Sequence, residues 1–137
     1  MKKIVTLMLI VLGITALQAK TKDPYHLILE GEFLNQKHVD YTVFMMNDEG
    51  TFISKFRDKG RKNFYILCDV GNKYIIRFQD KNRNVKFLLV DASRSGYFAV
   101  NVDFSKPYDA VIKDTKSGYS LTPIVDTKIK ANLVVKN

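Results

Sequence analysis

Apolar residues recur at every second position in seven short segments of this chain. The segments span residues 26–34, 38–46, 51–57, 63–70, 73–79, 85–91 and 97–104. A period of two places successive side chains on opposite faces of a β-strand, whereas an amphipathic helix repeats its apolar residues every three or four positions. The segments are also rich in β-branched and aromatic residues, which suit a pleated, half-buried surface. The alternation therefore predicts an all-β fold.

The breaks between the segments contain turn residues. Asn47-Asp48-Glu49-Gly50 follows the second segment, a polar loop at 58–62 follows the third, and Gly71-Asn72 separates the fourth from the fifth. Glycine and asparagine tolerate the left-handed backbone angles that tight hairpins require. Short strands joined in this way, each with one polar face, predict an antiparallel sandwich of two sheets and about seven strands.

The N-terminal residues have the three parts of a secretory signal peptide. Lys2 and Lys3 supply a positive start, residues 4–17 are largely apolar, and Ala19 precedes a polar stretch. The apolar run is short for a membrane anchor, which takes about 20 residues. We expect cleavage after Ala19 and export of residues 20–137 to the periplasm, the cell surface or the medium, without a transmembrane segment. An uncleaved N-terminal anchor is the alternative.

The remainder of the chain is expected to form one domain, with a core at about 25–104 and a C-terminal extension at 105–137. Pro107 ends the seventh segment because proline cannot donate to a ladder, and 110–113 is a short eighth strand. Residues 127–136 alternate again, with lysines at polar positions. They are interpreted either as an edge strand guarded by its lysines or as a strand that adds to a partner's sheet.

Three stretches of the chain carry a family resemblance. They are the opening strand at 27–33, the hairpin through Gly71-Asn72 into 73–78, and the strand at 86–91. Together they resemble the transthyretin-like, carboxypeptidase-regulatory-like β-sandwich of exported Bacteroidetes-type bacterial proteins, over roughly residues 25–104. The resemblance implies a transthyretin-like or immunoglobulin-like sandwich that acts as a non-catalytic accessory or adhesive module.

The sequence does not predict a metal site. His26 and His38 are the only histidines, and no cluster of cysteines or carboxylates completes a zinc site with them. Residues 80–84 begin like a calcium-binding EF-hand loop, with Asp91 at its twelfth position, but Val85 stands where that loop needs glycine. We therefore expect no metal and no cofactor.

Catalytic arrangements are also missing from the sequence. It has no Gly-x-Ser-x-Gly motif. Cys68, the only cysteine, cannot form an intramolecular disulfide, and its apolar strand predicts a small buried hydrophobe rather than a reactive thiol. Glu30 and Glu32 alternate on one strand, which gives no indication of the paired carboxylates of a glycosidase cleft. We expect that this chain is not an enzyme and has no catalytic residues.

The most distinctive surface feature of the sequence is positive charge. Five cations lie within eight residues: Lys55, Arg57, Lys59, Arg61 and Lys62. The full sequence has a net charge of +8, and in an exported protein these cations favour an acidic envelope or extracellular protein, or an anionic glycan, over nucleic acid. A solvated hairpin tip is the alternative interpretation of the same residues.

These observations together predict a non-enzymatic binding or accessory module that acts by surface contact. The alternative function is a structural subunit of an extracellular or envelope assembly, joined through residues 127–136.

Overall fold

The computed structural model describes residues 24–106 and 109–124, and all regular structure in these ranges is β-strand. Nine strands are present: β1 (His26–Glu32), β2 (Val39–Met46), β3 (Phe52–Arg61), β4 (Asn63–Asp69), β5 (Asn72–Gln79), β6 (Val85–Ala92), β7 (Gly96–Ala99), β8 (Asp109–Thr115) and β9 (Gly118–Ile124). They form a smaller sheet of order β4-β1-β7 and a larger sheet of order β3-β2-β5-β6-β8-β9. The all-β sandwich is confirmed. The predicted signal peptide at 1–19 and the segment 127–136 lie outside the described residues.

Each sheet contains one parallel pair, so the expectation of a purely antiparallel sandwich was wrong in this respect. β7 runs parallel to β1, and β8 runs parallel to β6. The other strand pairs within the described residues are antiparallel. Parallel neighbours cannot be joined by a tight hairpin. Here the chain leaves the larger sheet after β6, forms β7 in the smaller sheet, and returns as β8.

Two strand boundaries differ from the sequence prediction. The polar residues 58–61 are not a loop, because β3 continues through them to Arg61 and shifts register twice against β2. The seventh strand ends at Ala99 rather than at 104, and beyond it Val102 forms only an isolated bridge with Phe33. The polar loop residues predicted too short a third strand, and the alternation up to Pro107 predicted too long a seventh.

The C-terminal part of the described chain adds two strands to the larger sheet. β8 lies beside β6, and β9 forms the outer strand of that sheet. The side chain of Ile112 on β8 is fully buried in the main core. Residues 109–124 therefore contribute to the fold rather than forming a separate appendage. Within the two described ranges, no helix has the length and apolar character needed to cross a membrane.

An aromatic cluster occupies the centre of the core between the sheets. Phe33 and Phe64 contact Phe78 with ring centroids 5.4 and 5.2 Å away, and Tyr41 lies 6.1 Å from Phe78. The rings are tilted or edge-on to one another, which is the favourable arrangement for aromatic pairs. All four side chains are at most 4% exposed. These residues join strands of both sheets and therefore hold the sandwich together.

The outer face of the larger sheet is partly apolar, contrary to the prediction of one polar face per strand. Phe44, Ile75, Leu89 and Val111 are direct cross-strand neighbours and form a row over β2, β5, β6 and β8. Phe44 and Ile75 are buried in this second cluster. The residues that alternate with this row face the main core. The larger sheet therefore has apolar residues on both of its faces.

Candidate functional site

The five predicted cations lie along β3 and at the turn into β4. Four belong to β3, Lys62 follows it directly, and all five are exposed. Within the described residues β3 pairs on one side only, with β2, so it is an edge strand of the larger sheet. The structure therefore brings these cations together on one strand rather than at a hairpin tip.

Asp58 lies among these cations and neutralises one of them. Nε of Arg61 donates to Oδ2 of Asp58 at 2.8 Å. Partial desolvation raises the pKa of Asp58, but hydrogen bonds from Arg61 and from the Lys59 amide outweigh this effect and leave the pKa lowered. Burial, followed by the charge of Asp58, raises the pKa of Tyr41, whose hydroxyl contacts the same carboxylate. The four remaining cations form no ion pair with the described residues.

A groove separates β3 from β4, where the two sheets are open at one side. β3 is the edge of the larger sheet and β4 is the edge of the smaller one. The space between them has a volume of about 450 Å³, within the range of about 300–1,000 Å³ typical of binding sites. Its walls include Val43, Met45, Lys55, Phe56, Ile66 and Leu67. We call this feature the β3–β4 groove.

Large apolar side chains are exposed on both sides of the β3–β4 groove. Phe56 contacts the Tyr41 ring, yet it is 51% exposed. Tyr65 and Leu67 on β4 are 55% and 50% exposed, and because they alternate with buried residues they lie at the outer rim of the groove. An aromatic residue facing the inner side of a sandwich is normally covered by the opposite sheet. Because neighbouring exposed apolar side chains mark interaction surfaces, the groove is the strongest candidate site of the described chain.

The apolar part of this site was not predicted from the sequence. Tyr65 and Leu67 stand at the expected polar positions of segment 63–70, and this irregularity was the available signal. Phe56 and Phe52 were expected to share one face of their strand, but a register shift separates them: Phe56 contacts Tyr41 of the main core and Phe52 packs on the outer cluster. The exposure of Phe56 depends on which strands form the edges of the two sheets, and the alternation of residues does not determine that.

His26 and His38, the histidines considered as metal ligands from the sequence, lie in different parts of the fold. His26 begins β1 in the smaller sheet, where its Nε2 lies 3.2 Å from Oδ1 of Asp69. His38 precedes β2, which belongs to the larger sheet, so the two histidines lie at strands that do not pair with each other. In the described ranges, no three potential metal ligands converge.

The loop at 80–84 is closed by its own hydrogen bonds. The buried Asp80 carboxylate accepts bonds from the amides of Asn82 and Asn84, and from Nδ2 of Asn84, at 2.8–2.9 Å. Both carboxylate oxygens are therefore engaged within the turn between β5 and β6. This geometry is that of a side-chain-stabilised hairpin loop.

The two candidate carboxylates on β1 have different surroundings. Oε2 of Glu30 accepts a 2.6 Å hydrogen bond from the Tyr97 hydroxyl, and this bond raises the pKa of Tyr97. The amide of Glu32 donates to Oδ1 of Asn101 at 3.0 Å. Both side chains are exposed on the smaller sheet, as expected for strand-surface positions.

Cys68 is buried in the core, as its sequence context predicted, and we expect its thiol to be unreactive in the folded protein. Burial, with a smaller effect of Asp69, raises its pKa to about 12. An exposed cysteine has a pKa of about 8.5, so raising the pH from 7 to 9 should accelerate thiol labelling only after unfolding in urea. Labelling of the native protein at the rate of free cysteine would contradict this prediction.

Comparison with known proteins does not assign the chain to a family. No family model matches the chain, and no curated protein is significantly similar to it.

Proposed function

We propose that this chain is an exported, non-enzymatic binding module that holds an acidic envelope or extracellular protein by surface contact. The observation that carries the proposal is the β3–β4 groove, which has exposed apolar side chains and borders a strand rich in cations. Export rests on the sequence of residues 1–19. Assignment to the transthyretin-like group rests on the resemblance of three stretches and belongs to the same proposal.

The chemistry of the groove favours a protein over an anionic glycan. Phe56, Tyr65 and Leu67 offer apolar area that a second protein can bury, and aromatic residues are enriched in such interfaces. Lys55 lines the groove beside this apolar area, and the other cations follow it along the chain, so together they can attract an acidic partner and orient it. A polyanion without apolar groups would use the charges and leave the groove exposed.

Reversing two cations of β3 is expected to weaken binding to an acidic ligand. With fluorescent poly-glutamate as the probe, Lys55→Glu/Arg57→Glu should weaken binding about tenfold or more, because neighbouring cations attract the same polyanion. Raising the salt concentration should also weaken binding, since the Debye length falls from about 10 Å at 0.1 M to about 3 Å at 1 M.

The matched control is Lys81→Glu/Lys113→Glu, which changes the net charge equally at exposed positions away from β3. It should weaken binding less than threefold. Equal losses in the two variants would contradict a localised site, and salt-insensitive binding would contradict the electrostatic part of the proposal.

A further inference from the structure

We propose that an extended, acidic peptide segment of the partner protein binds in the β3–β4 groove as a fourth strand of the smaller sheet, hydrogen-bonded to the free edge of β4. This inference rests on the proposed function and specifies the partner's chemistry and its mode of binding. Addition of a strand to an exposed sheet edge is a general form of peptide recognition, in which the backbone supplies affinity and alternate side chains supply specificity.

The backbone of β4 has hydrogen-bonding groups that point away from β1. In an antiparallel pair, every second residue exchanges hydrogen bonds with its neighbour. The Val70 amide donates to the Tyr25 carbonyl at 2.9 Å, just beyond β4. The even-numbered residues of β4 therefore face β1, and Tyr65 and Leu67 direct their amides and carbonyls to the open side. These four groups have no backbone partner among the described residues.

The end of this free edge is closed by side chains. Asp69 also directs its amide away from β1, but that amide donates to the Tyr74 hydroxyl at 2.7 Å. The carbonyl of the same residue accepts a bond from Nδ2 of Asn72. The open part of the edge is therefore centred on Tyr65 and Leu67, beside the apolar walls of the groove.

β4 is a better docking edge than β3. β3 has two register shifts and several cations, which are common protections of an edge strand against pairing. β4 pairs with β1 without a register shift and carries neither lysine nor proline. An unprotected, regular edge is the kind that accepts another strand.

A strand added beside β4 would lie over the inner side of β3. Its inward side chains would cover Phe56 and contact Val43 and Met45, which now line the groove. Apolar residues therefore suit alternate positions of the peptide, and a carboxylate suits the neighbourhood of Lys55, which lines the groove. The chain's own segment 125–137 has three lysines and one aspartate, so its charge does not complement β3.

The probe is a fluorescein-labelled heptapeptide in which glutamate and valine alternate, titrated against the purified protein. We expect saturable binding, measured by anisotropy, with slower hydrogen exchange at the Tyr65 and Leu67 amides. Leu67→Pro should weaken binding about tenfold, equivalent to about 1.4 kcal/mol, because it removes an outward amide while leaving the bonds to β1 intact. Leu67→Thr keeps that amide and should stay within threefold of the original protein.

A second peptide keeps the test decisive if Leu67→Pro does not fold. The same heptapeptide, N-methylated at the residues that would donate to β4, keeps its charge and should bind at least tenfold more weakly. Equal affinity for both peptides, or unchanged exchange at Tyr65 and Leu67, would overturn strand addition. Salt-dependent poly-glutamate binding would survive that result, so the proposed function and this inference fail separately. Self-association that disappears on removal of residues 125–137 would also overturn it, because a second copy would then occupy the groove.

Discussion

Gly31→Ala is expected to destabilise the fold by at least about 3 kcal/mol, at or above the upper end of the usual cost of overpacking a core. A Cβ atom at this position would overlap the carbonyl oxygen of Val100 and lie 2.9 Å from the Phe64 ring. The first contact involves backbone, which cannot move aside as a flexible side chain can. The Val100 amide also donates to the Glu30 carbonyl at 2.9 Å, so displacing this segment breaks its attachment to β1.

Gly96→Ala is the matched control, because Gly96 also lies in a strand of the smaller sheet. Its added Cβ would meet the Tyr119 ring at 3.6 Å, an ordinary van der Waals distance. Urea unfolding should show a change of less than about 1 kcal/mol for this variant, which introduces no strain. If Gly31→Ala proved equally mild, the close approach of Val100 to β1 would be wrong.

Phe78→Ala is expected to cost about 3–5 kcal/mol, the usual loss for removing a buried phenylalanine. Phe78 is 1% exposed and contacts the rings of Phe33, Tyr41 and Phe64, so truncation leaves a cavity where the two sheets meet. Since small domains are stable by only about 5–15 kcal/mol, the midpoint of urea unfolding should fall sharply.

Phe56→Ala provides the comparison with an aromatic residue that also contacts Tyr41. Phe56 is half-exposed on the edge strand β3, so its truncation should cost less than about 1 kcal/mol, because little apolar area leaves the interior. The same substitution should weaken peptide binding in the β3–β4 groove. Similar stability losses for Phe78→Ala and Phe56→Ala would contradict the placement of the core.

The sequence predicted most of the strands, because alternation is a local property that survives folding. The segments at 38–46 and 85–91 match β2 and β6 to within one residue. It did not predict that β1 and β2 separate into different sheets or that β7 and β8 have parallel neighbours. Those features depend on contacts between residues far apart in the chain, and turn residues indicate only how neighbouring segments are connected.

The candidate site was predicted only in its charged half. Lys55 and Arg57 are visible in the sequence as part of a dense run of cations, and the structure places them on one edge strand. The free backbone groups of β4 have no signature in residue types, because every residue carries the same amide and carbonyl. The proposed strand-addition site depends on the order of strands, which leaves Tyr65 and Leu67 without a neighbour on one side among the described residues.

The position of β1 between β4 and β7 has a consequence for the order of folding. The larger sheet contains three local hairpins, β2–β3, β5–β6 and β8–β9, which can close early. The partners of β1 are far from it in the sequence, since Leu27 pairs with Cys68 on one side and with Gly96 on the other. Contacts of such long sequence separation form slowly. We therefore expect the β1–β7 pairing to form after the local hairpins, so the smaller sheet, with its β4 edge, should be completed late in folding.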